Sequence, residues 1–199
     1  MSRVEYPIPI TAFTGICCIG RGRQQIADAL RSGASGLRPN QFDDTAADIR
    51  TFIGPVAAIE YEPLPASLAP WDCRNHRLAW MALHEDDFAA SVADAAHRFG
   101  PSRVGVFIGT STSGILDTEE LFRHGQQHQL ECNRFELRHS LGSVADFVAT
   151  ALSLTGPRHC VSTACSSSAK VFATAARYLS AGLCDAAIVG GVDSLCFTT

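Results

Sequence analysis

Val161-Ser162-Thr163-Ala164-Cys165-Ser166-Ser167-Ser168 joins a strand pattern to a helix pattern. Upstream, His159-Cys160-Val161 is an apolar, β-forming run, so His159 to Thr163 is predicted to be a strand. Downstream, Ala169, Phe172, Ala173 and Ala176 recur at the spacing of one helix face, which predicts a helix over Ser167 to Ala181. Cys165 therefore falls at a strand-to-helix junction. Its serines offer N-cap chemistry, and the small Ala164 and Ala169 are expected to be buried in a close strand-to-helix approach. A helix N-terminus carries partial positive charge and unpaired N–H groups. Both favour a thiolate, and the same N–H groups can hold an oxyanion. A cysteine at such a junction is, however, more often a small core hydrophobe. Spacing alone leaves both readings open.

Moving outward, strand and helix patterns alternate. Val104-Gly105-Val106-Phe107-Ile108 reads as a buried strand, followed by Gly109-Thr110-Ser111-Thr112-Ser113-Gly114. Small polar residues between a strand and a helix either line a site at the carboxyl edge of a sheet or form a plain connecting loop. Ile115 to Gln127 reads as a helix whose Asp117, Glu119 and Glu120 form a solvated face and a dipole-favourable first turn. Ser143 to Leu154 reads as a further helix, and Ala186 to Val189 as a strand. Before this block, Leu78 to Phe99 follows one helical stripe, capped by Asp72 and ended by Gly100-Pro101. His76, His84 and His97 fall on its polar face or at its caps. Ile8 to Ile19 reads as a buried first strand, and Gln24 to Leu30 as a short helix closed by Gly33. Residues 34–70 form a proline-rich, irregular insertion without a clean period. The alternation predicts an α/β fold with a mixed, mostly parallel sheet covered by helices.

Composition narrows the function. A chain of 199 residues with 46% hydrophobic and 18% charged residues can build one sizeable core. A net charge of −4, with no Lys/Arg cluster, excludes a nucleic-acid footprint. No apolar run approaches a membrane span. Eight cysteines lie inside apolar segments without a Cys-x-x-Cys pair, which reads as reduced cytoplasmic thiols. His159, Cys160 and Cys165 match no zinc spacing, so no metal is expected.

Ser162-Thr163-Ala164-Cys165-Ser166-Ser167-Ser168, the helix behind it and Ala186-Ala187-Ile188-Val189-Gly190-Gly191-Val192-Asp193 together resemble the β-ketoacyl synthases, with Gly156-Pro157 ahead of the nucleophile strand. These are the condensing enzymes of fatty acid and polyketide synthesis. The resemblance implies that residues 1–199 are the N-terminal half of a thiolase-like fold, one half of a duplicated αβαβα architecture. It implies that Cys165 takes an acyl group from an acyl carrier protein as a thioester. A decarboxylated malonyl unit then attacks it, and the Cys165 N–H is one oxyanion donor. No cofactor is implied, and the assembly expected is a homodimer or a synthase heterodimer. The loop of Ser111, Thr112 and Ser113 would border the acyl pocket. Thr112 stands where elongating synthases often carry a bulky apolar gate, and Phe135 would line the channel. The two catalytic histidines and the lysine of such enzymes lie in second-half motifs, and nothing here matches His-Gly-Thr-Gly-Thr or Asn-Ser-Phe-Gly. Leu195-Cys196-Phe197-Thr198-Thr199 stops inside a strand-like run, which fits a half-fold. The chain is thus expected to hold the nucleophile and be inactive alone. The alternatives are a non-catalytic chain-length-factor-like or carrier-binding subunit and a thiol hydrolase. Chain-length factors typically replace the nucleophile, whereas Cys165 is present here.

Overall fold

The computed structural model describes residues 7–42, 50–126 and 135–198. In chain order, β1 (Ile16–Cys17) and β2 (Gly20–Arg21) form a small antiparallel hairpin leading into α1 (Gly22–Ser32). Next, β3 (Arg38–Pro39) pairs antiparallel with β4 (Phe52–Ile53). Then come α2 (Arg74–Leu83), α3 (Phe88–Phe99) and β5 (Val104–Gly109). After these follow α4 (Ile115–Arg123), α5 (Ser143–Ala151), β6 (Arg158–Val161), α6 (Ser167–Ser180) and β7 (Ala186–Gly191).

The last three strands make a parallel sheet in the order β6-β5-β7, with Phe107 opposite His159 on one side and Val189 on the other. Each return from one parallel strand to the next needs a helical crossover. Helices α4 and α5 lie on the path from β5 to β6, and α6 lies between β6 and β7. Every residue of β5 is buried, because both faces of the sheet are covered. The two-residue period of the strand divides its side chains between two cores. Val104, Val106 and Ile108 join Leu83, Val92, Val144, Phe147 and Val148 beneath α2, α3 and α5. Phe107 packs instead with Val171, Ala175 and Cys184 beneath α6. Phe107 and Phe147 are fully buried, and burial of one such ring stabilises by about 1.5–3 kcal/mol. The result is a helix–sheet–helix sandwich that brings three strand carboxyl ends to one edge.

Several expectations change. The first strand shrinks to Ile16–Cys17, and Ile8, Ile10 and Phe13 are exposed. Apolar content alone does not make a strand where no neighbouring strand, among the described residues, takes up its backbone groups. The stripe over Leu78 to Phe99 is two helices, because Asp86 and Asp87 both take left-handed backbone (φ 57). Asp86 is held there by the Arg23 N–H, at 2.9 Å. Asp72 does not cap α2; its carboxylate takes both arms of the Arg77 guanidinium at 2.6 and 2.7 Å. His76 is not on a polar face but fully buried. Helix α1 runs as read, closed by Gly33 at φ 68. The helix from Ile115 ends at Arg123, and Gln127 lies outside the described residues. Its carboxylates are engaged: Asp117 pairs with Arg138 at 3.0 Å, and Glu119 accepts the Phe197 and Thr198 N–H groups at 2.8 and 3.1 Å.

The face of α6 is inverted relative to the sequence reading. Ser167, Val171 and Ala175 are buried, whereas Ala169, Phe172 and Ala173 are exposed, as is Ala164. Alanine-rich helices present similar small side chains all round, so their periodicity does not single out the packed face.

Candidate active site

Cys165 sits at the apex of the turn joining β6 to α6, exposed to solvent. Ala164 before it has φ 52, a left-handed conformation that costs a non-glycine residue about 1–2 kcal/mol. Such a turn persists only when its surroundings over-determine it. Ser167 does this from a buried position. Its Oγ accepts the Thr163 N–H at 2.8 Å and donates to the Ala164 carbonyl at 2.7 Å. Ser166 adds a bond from its Oγ to the Thr163 carbonyl at 2.9 Å. The serines therefore bind backward onto the turn. The expected side-chain N-cap is not formed; Ser166 occupies the cap position without a hydrogen bond from its side chain to the helix. What the motif secures is an exposed thiol on a strained, clamped turn.

The first turn of α6 rests on two glycines at strand ends. A methyl group on Gly109 would lie 2.5 Å from the Ser167 carbonyl carbon and 2.6 Å from the Ser168 nitrogen. One on Gly191 would overlap the Ser168 side chain. The ends of β5 and β7 are thus pressed against the base of the thiol-bearing turn. Thr110 N donates to the Val161 carbonyl at 3.1 Å and Val192 N to the Gly109 carbonyl at 3.0 Å, continuing the sheet one step beyond each strand.

The loop after β5 is organised by a residue that follows β7. Asp193 Oδ1 accepts the backbone N–H groups of Ser111 and Thr112 at 2.6 and 3.2 Å. The hydroxyls of Thr110 and Thr112 donate to the same oxygen at 3.3 and 3.4 Å. Ser113, left-handed at φ 47, donates its N–H to Thr110 Oγ1 at 2.9 Å. Its own hydroxyl is within 2.9 Å of the Ser140 carbonyl and 3.2 Å of Ser143 Oγ. Behind it, Ser143 Oγ lies 3.3 Å from His76 Nε2, and His76 Nδ1 donates to the Trp71 carbonyl at 2.7 Å. Burial pushes the His76 imidazole down to about 4, so the ring is neutral at pH 7. A buried polar thread thus runs from α2 to the loop.

Of the residues named from sequence, Ser111 is exposed beside Cys165's edge of the sheet, while Thr112 and Ser113 are buried. Phe135 is half-exposed on a single π-helical turn, 135–139, its ring stacked on His139 at 4.5 Å. That turn touches the loop through Arg138, whose carbonyl accepts the Gly114 N–H at 3.0 Å. His139 bonds Thr118 Oγ1 at 2.7 Å. Asp193, Ser167, Ser143 and His76 were not singled out as site residues. Only Asp193 carried a readable signal, an acid directly after the glycine-rich end of a strand. Burial pushes the thiol of Cys73 up to about 12 and that of Cys160 up to about 11, which suppresses their thiolates near neutral pH. Among the described residues there is no cluster of three or more His, Cys, Asp or Glu side chains able to hold a metal ion. No described helix is long and apolar enough to cross a membrane.

Residues 68–198 match the family model described as the N-terminal domain of β-ketoacyl synthase. The chain belongs to the β-ketoacyl synthase family. Its described core is the thiolase-like half-fold: a parallel sheet with helices on both faces and the cysteine turn at its carboxyl edge. Among curated relatives, it is 28% identical over 167 residues to the atrochrysone carboxylic acid synthase PKS4 of Calonarius odorifer, covering 83% of this chain and 9% of that one. It is 33% identical over 125 residues to the hybrid PKS-NRPS synthetase TAS1 of Pyricularia oryzae, covering 54% of this chain and 7% of that one. Among solved structures, it is similar to the ketosynthase ApeO in complex with its chain length factor ApeC from Xenorhabdus doucetiae. That match has a TM-score of 0.77 and 30% identity, covering 94% of this chain and 47% of that one. The ishigamide ketosynthase/chain length factor shares the fold with a TM-score of 0.73 and 22% identity, covering 94% and 47%. The chain therefore spans about half the length of these solved chains and under a tenth of the curated synthases.

Proposed function

We propose that this ketosynthase half supplies the acyl-accepting thiol of a polyketide-type condensing enzyme. The observation that carries the reading is Cys165, exposed on a strained turn that Ser167 clamps at the edge where three strands end. The Cys165 thiolate attacks the carbonyl of an acyl thioester, the bond from that carbonyl to the acyl carrier protein's sulfur breaks, the carrier leaves with its thiol free, and the acyl group remains on the Cys165 sulfur. A malonyl thioester, decarboxylated by groups outside this chain, then attacks that carbonyl and releases the thiol as the β-ketoacyl product forms. The backbone N–H of Cys165 is one donor to the developing oxyanion. Ser111, Thr112 and Ser113 form one wall of the acyl site, with Phe135 farther along it.

The working assembly is a pair of synthase-type subunits. Support comes from the solved relatives, whose descriptions name ketosynthase and chain length factor together. A chain-length-factor role for this chain itself is the second reading, and the intact Cys165 motif favours the catalytic one. None of the described histidines that form side-chain hydrogen bonds (His76, His84 and His139) bonds to Cys165; their partners are Trp71 and Ser143, Trp80, and Thr118. Purified residues 1–199, given acyl- and malonyl-carrier substrates, should therefore make no β-ketoacyl product. Addition of a complementary second half should restore the product, and Cys165→Ala should abolish it. Sustained condensation by the chain alone would overturn this division of labour.

A further inference from the structure

Resting on the reading of Cys165 as an acyl-accepting thiol, we propose that Ser167 is a positioning residue for acyl transfer: its hydroxyl holds the Ala164–Cys165 peptide so that the Cys165 N–H is aimed at the developing oxyanion. A serine hydroxyl has one proton and two lone pairs. That of Ser167 accepts the Thr163 N–H at 2.8 Å. The Ala164 carbonyl, 2.7 Å away, can only accept, so the hydroxyl proton lies on that bond. The Ser167 N–H reaches the same carbonyl oxygen at 3.0 Å, which occupies both of its lone pairs. The oxygen is gripped by two donors of one residue, itself only 1% exposed. Ser167 has little room to retreat, because a methyl group on Gly109 of β5 would already lie 2.7 Å from its carbonyl oxygen.

In a trans peptide the C=O and the N–H share one plane and point in opposite directions. No described peptide bond is cis, so fixing the Ala164 oxygen toward Ser167 turns the Cys165 N–H away from the buried serine. A donor on the carbonyl also polarises the peptide and strengthens its N–H as a donor in turn. Ser167 touches no reacting atom in this arrangement; it acts through the Ala164–Cys165 peptide.

Two reactions of the same sulfur separate this role from a purely structural one. With a butyryl N-acetylcysteamine thioester, the Cys165 thiolate adds to the carbonyl carbon and the C=O electron pair moves to oxygen as an oxyanion. Its collapse restores the C=O, breaks the bond to the N-acetylcysteamine sulfur and releases that thiolate, which takes up a proton. With iodoacetamide the thiolate displaces iodide from a methylene carbon, and no oxyanion forms. In the 199-residue chain, Ser167→Ala should slow butyryl uptake by Cys165 at least about tenfold at an unchanged half-saturating thioester concentration, part of the roughly 100- to 1,000-fold that losing a whole oxyanion donor costs. Alkylation of Cys165, which gains nothing from such a donor, should stay within about twofold. Unchanged uptake overturns the proposal. Equal slowing of both reactions also overturns it, since that reports a displaced thiol. Ala164→Gly lets residue 164 keep its φ of 52 without strain. Adding Ser167→Ala to that variant should still depress uptake relative to alkylation, because glycine does nothing to hold the carbonyl. Uptake equal to that of Ala164→Gly would show that Ser167 only supports the strained turn, and overturns the peptide-orienting role. The same pair of variants decides the matter if Ser167→Ala alone does not fold. If the wild-type chain takes up no butyryl group while iodoacetamide still labels Cys165, the reading of Cys165 fails and the proposal falls with it.

Discussion

Lowering the pH from 7 to 4.5 should destabilise this protein through one buried imidazole. His76 is fully buried, stacked on Phe147 with ring centres 4.6 Å apart and planes 2° from parallel. Its Nδ1–H is committed to the Trp71 carbonyl, which leaves Nε2 as an acceptor facing Ser143. Burial is the largest cause holding its pKa down, from 6.5 to about 4; the Trp71 bond and the charges of Asp117 and Asp72 act against it, and Arg138 acts with it. A histidine whose folded pKa is depressed leaves stability whole above the unfolded value. Stability is lost as the pH falls from 6.5 toward 4, where the unfolded chain binds the proton and the folded chain does not. At about 1.4 kcal/mol per pH unit, the full window amounts to about 3 kcal/mol, a large share of a typical domain's 5–15 kcal/mol. His139, also held down by burial, works in the same direction, so the test is a difference between variants. Asp72 acts elsewhere: Arg77 holds its carboxyl low, so its contribution is lost only below about 3.8. Urea unfolding of wild type and His76→Gln between pH 7 and 4.5 reads the effect. The wild-type slope should be steeper, and the gap between the two curves should narrow as the pH falls. Equal slopes would refute the buried, neutral imidazole.

Three further expectations concern packing and reactivity. Gly109→Ala should lower the unfolding free energy by about 1–3 kcal/mol, because its methyl meets α6 backbone, whereas Gly190→Ala, with nothing within 4 Å, should unfold like wild type. On α6, Ala169→Leu should be within about 0.5 kcal/mol of wild type in this chain, while Ala175→Leu should cost about 1–3 kcal/mol, both read by denaturant melts. At limiting iodoacetamide, peptide mapping should find Cys165 labelled well ahead of Cys73, Cys160 and Cys184, with exposed Cys17 as its competitor. Faster labelling of a buried thiol would contradict the assigned burial.

Elements with their own periodicity and punctuation were legible in the sequence. The continuous apolar run of β5, the Gly33 stop of α1 and the strand–turn–helix around Cys165 all stand where composition placed them. What was not legible depends on contacts distant in sequence. Nothing local distinguishes Ala169 from Ala175, so the packed face of α6 is decided by Phe107 and Cys184. The helix break at Asp86 depends on Arg23 of α1, and Glu119 reads as a surface acid until Phe197 and Thr198 are brought to it. The loop Thr110 to Ser113 announced itself as small and polar. Its conformation is written partly in Asp193, a partner that only the β5–β7 pairing brings near.

Whether Cys165 accepts an acyl group is read by intact-protein mass spectrometry with peptide mapping after incubation with acyl-carrier thioesters. A single stable acyl adduct is expected on the peptide containing Cys165, absent in Cys165→Ala, if the thiol is the acyl acceptor. No adduct, an adduct on another cysteine, or turnover to free acid would contradict it.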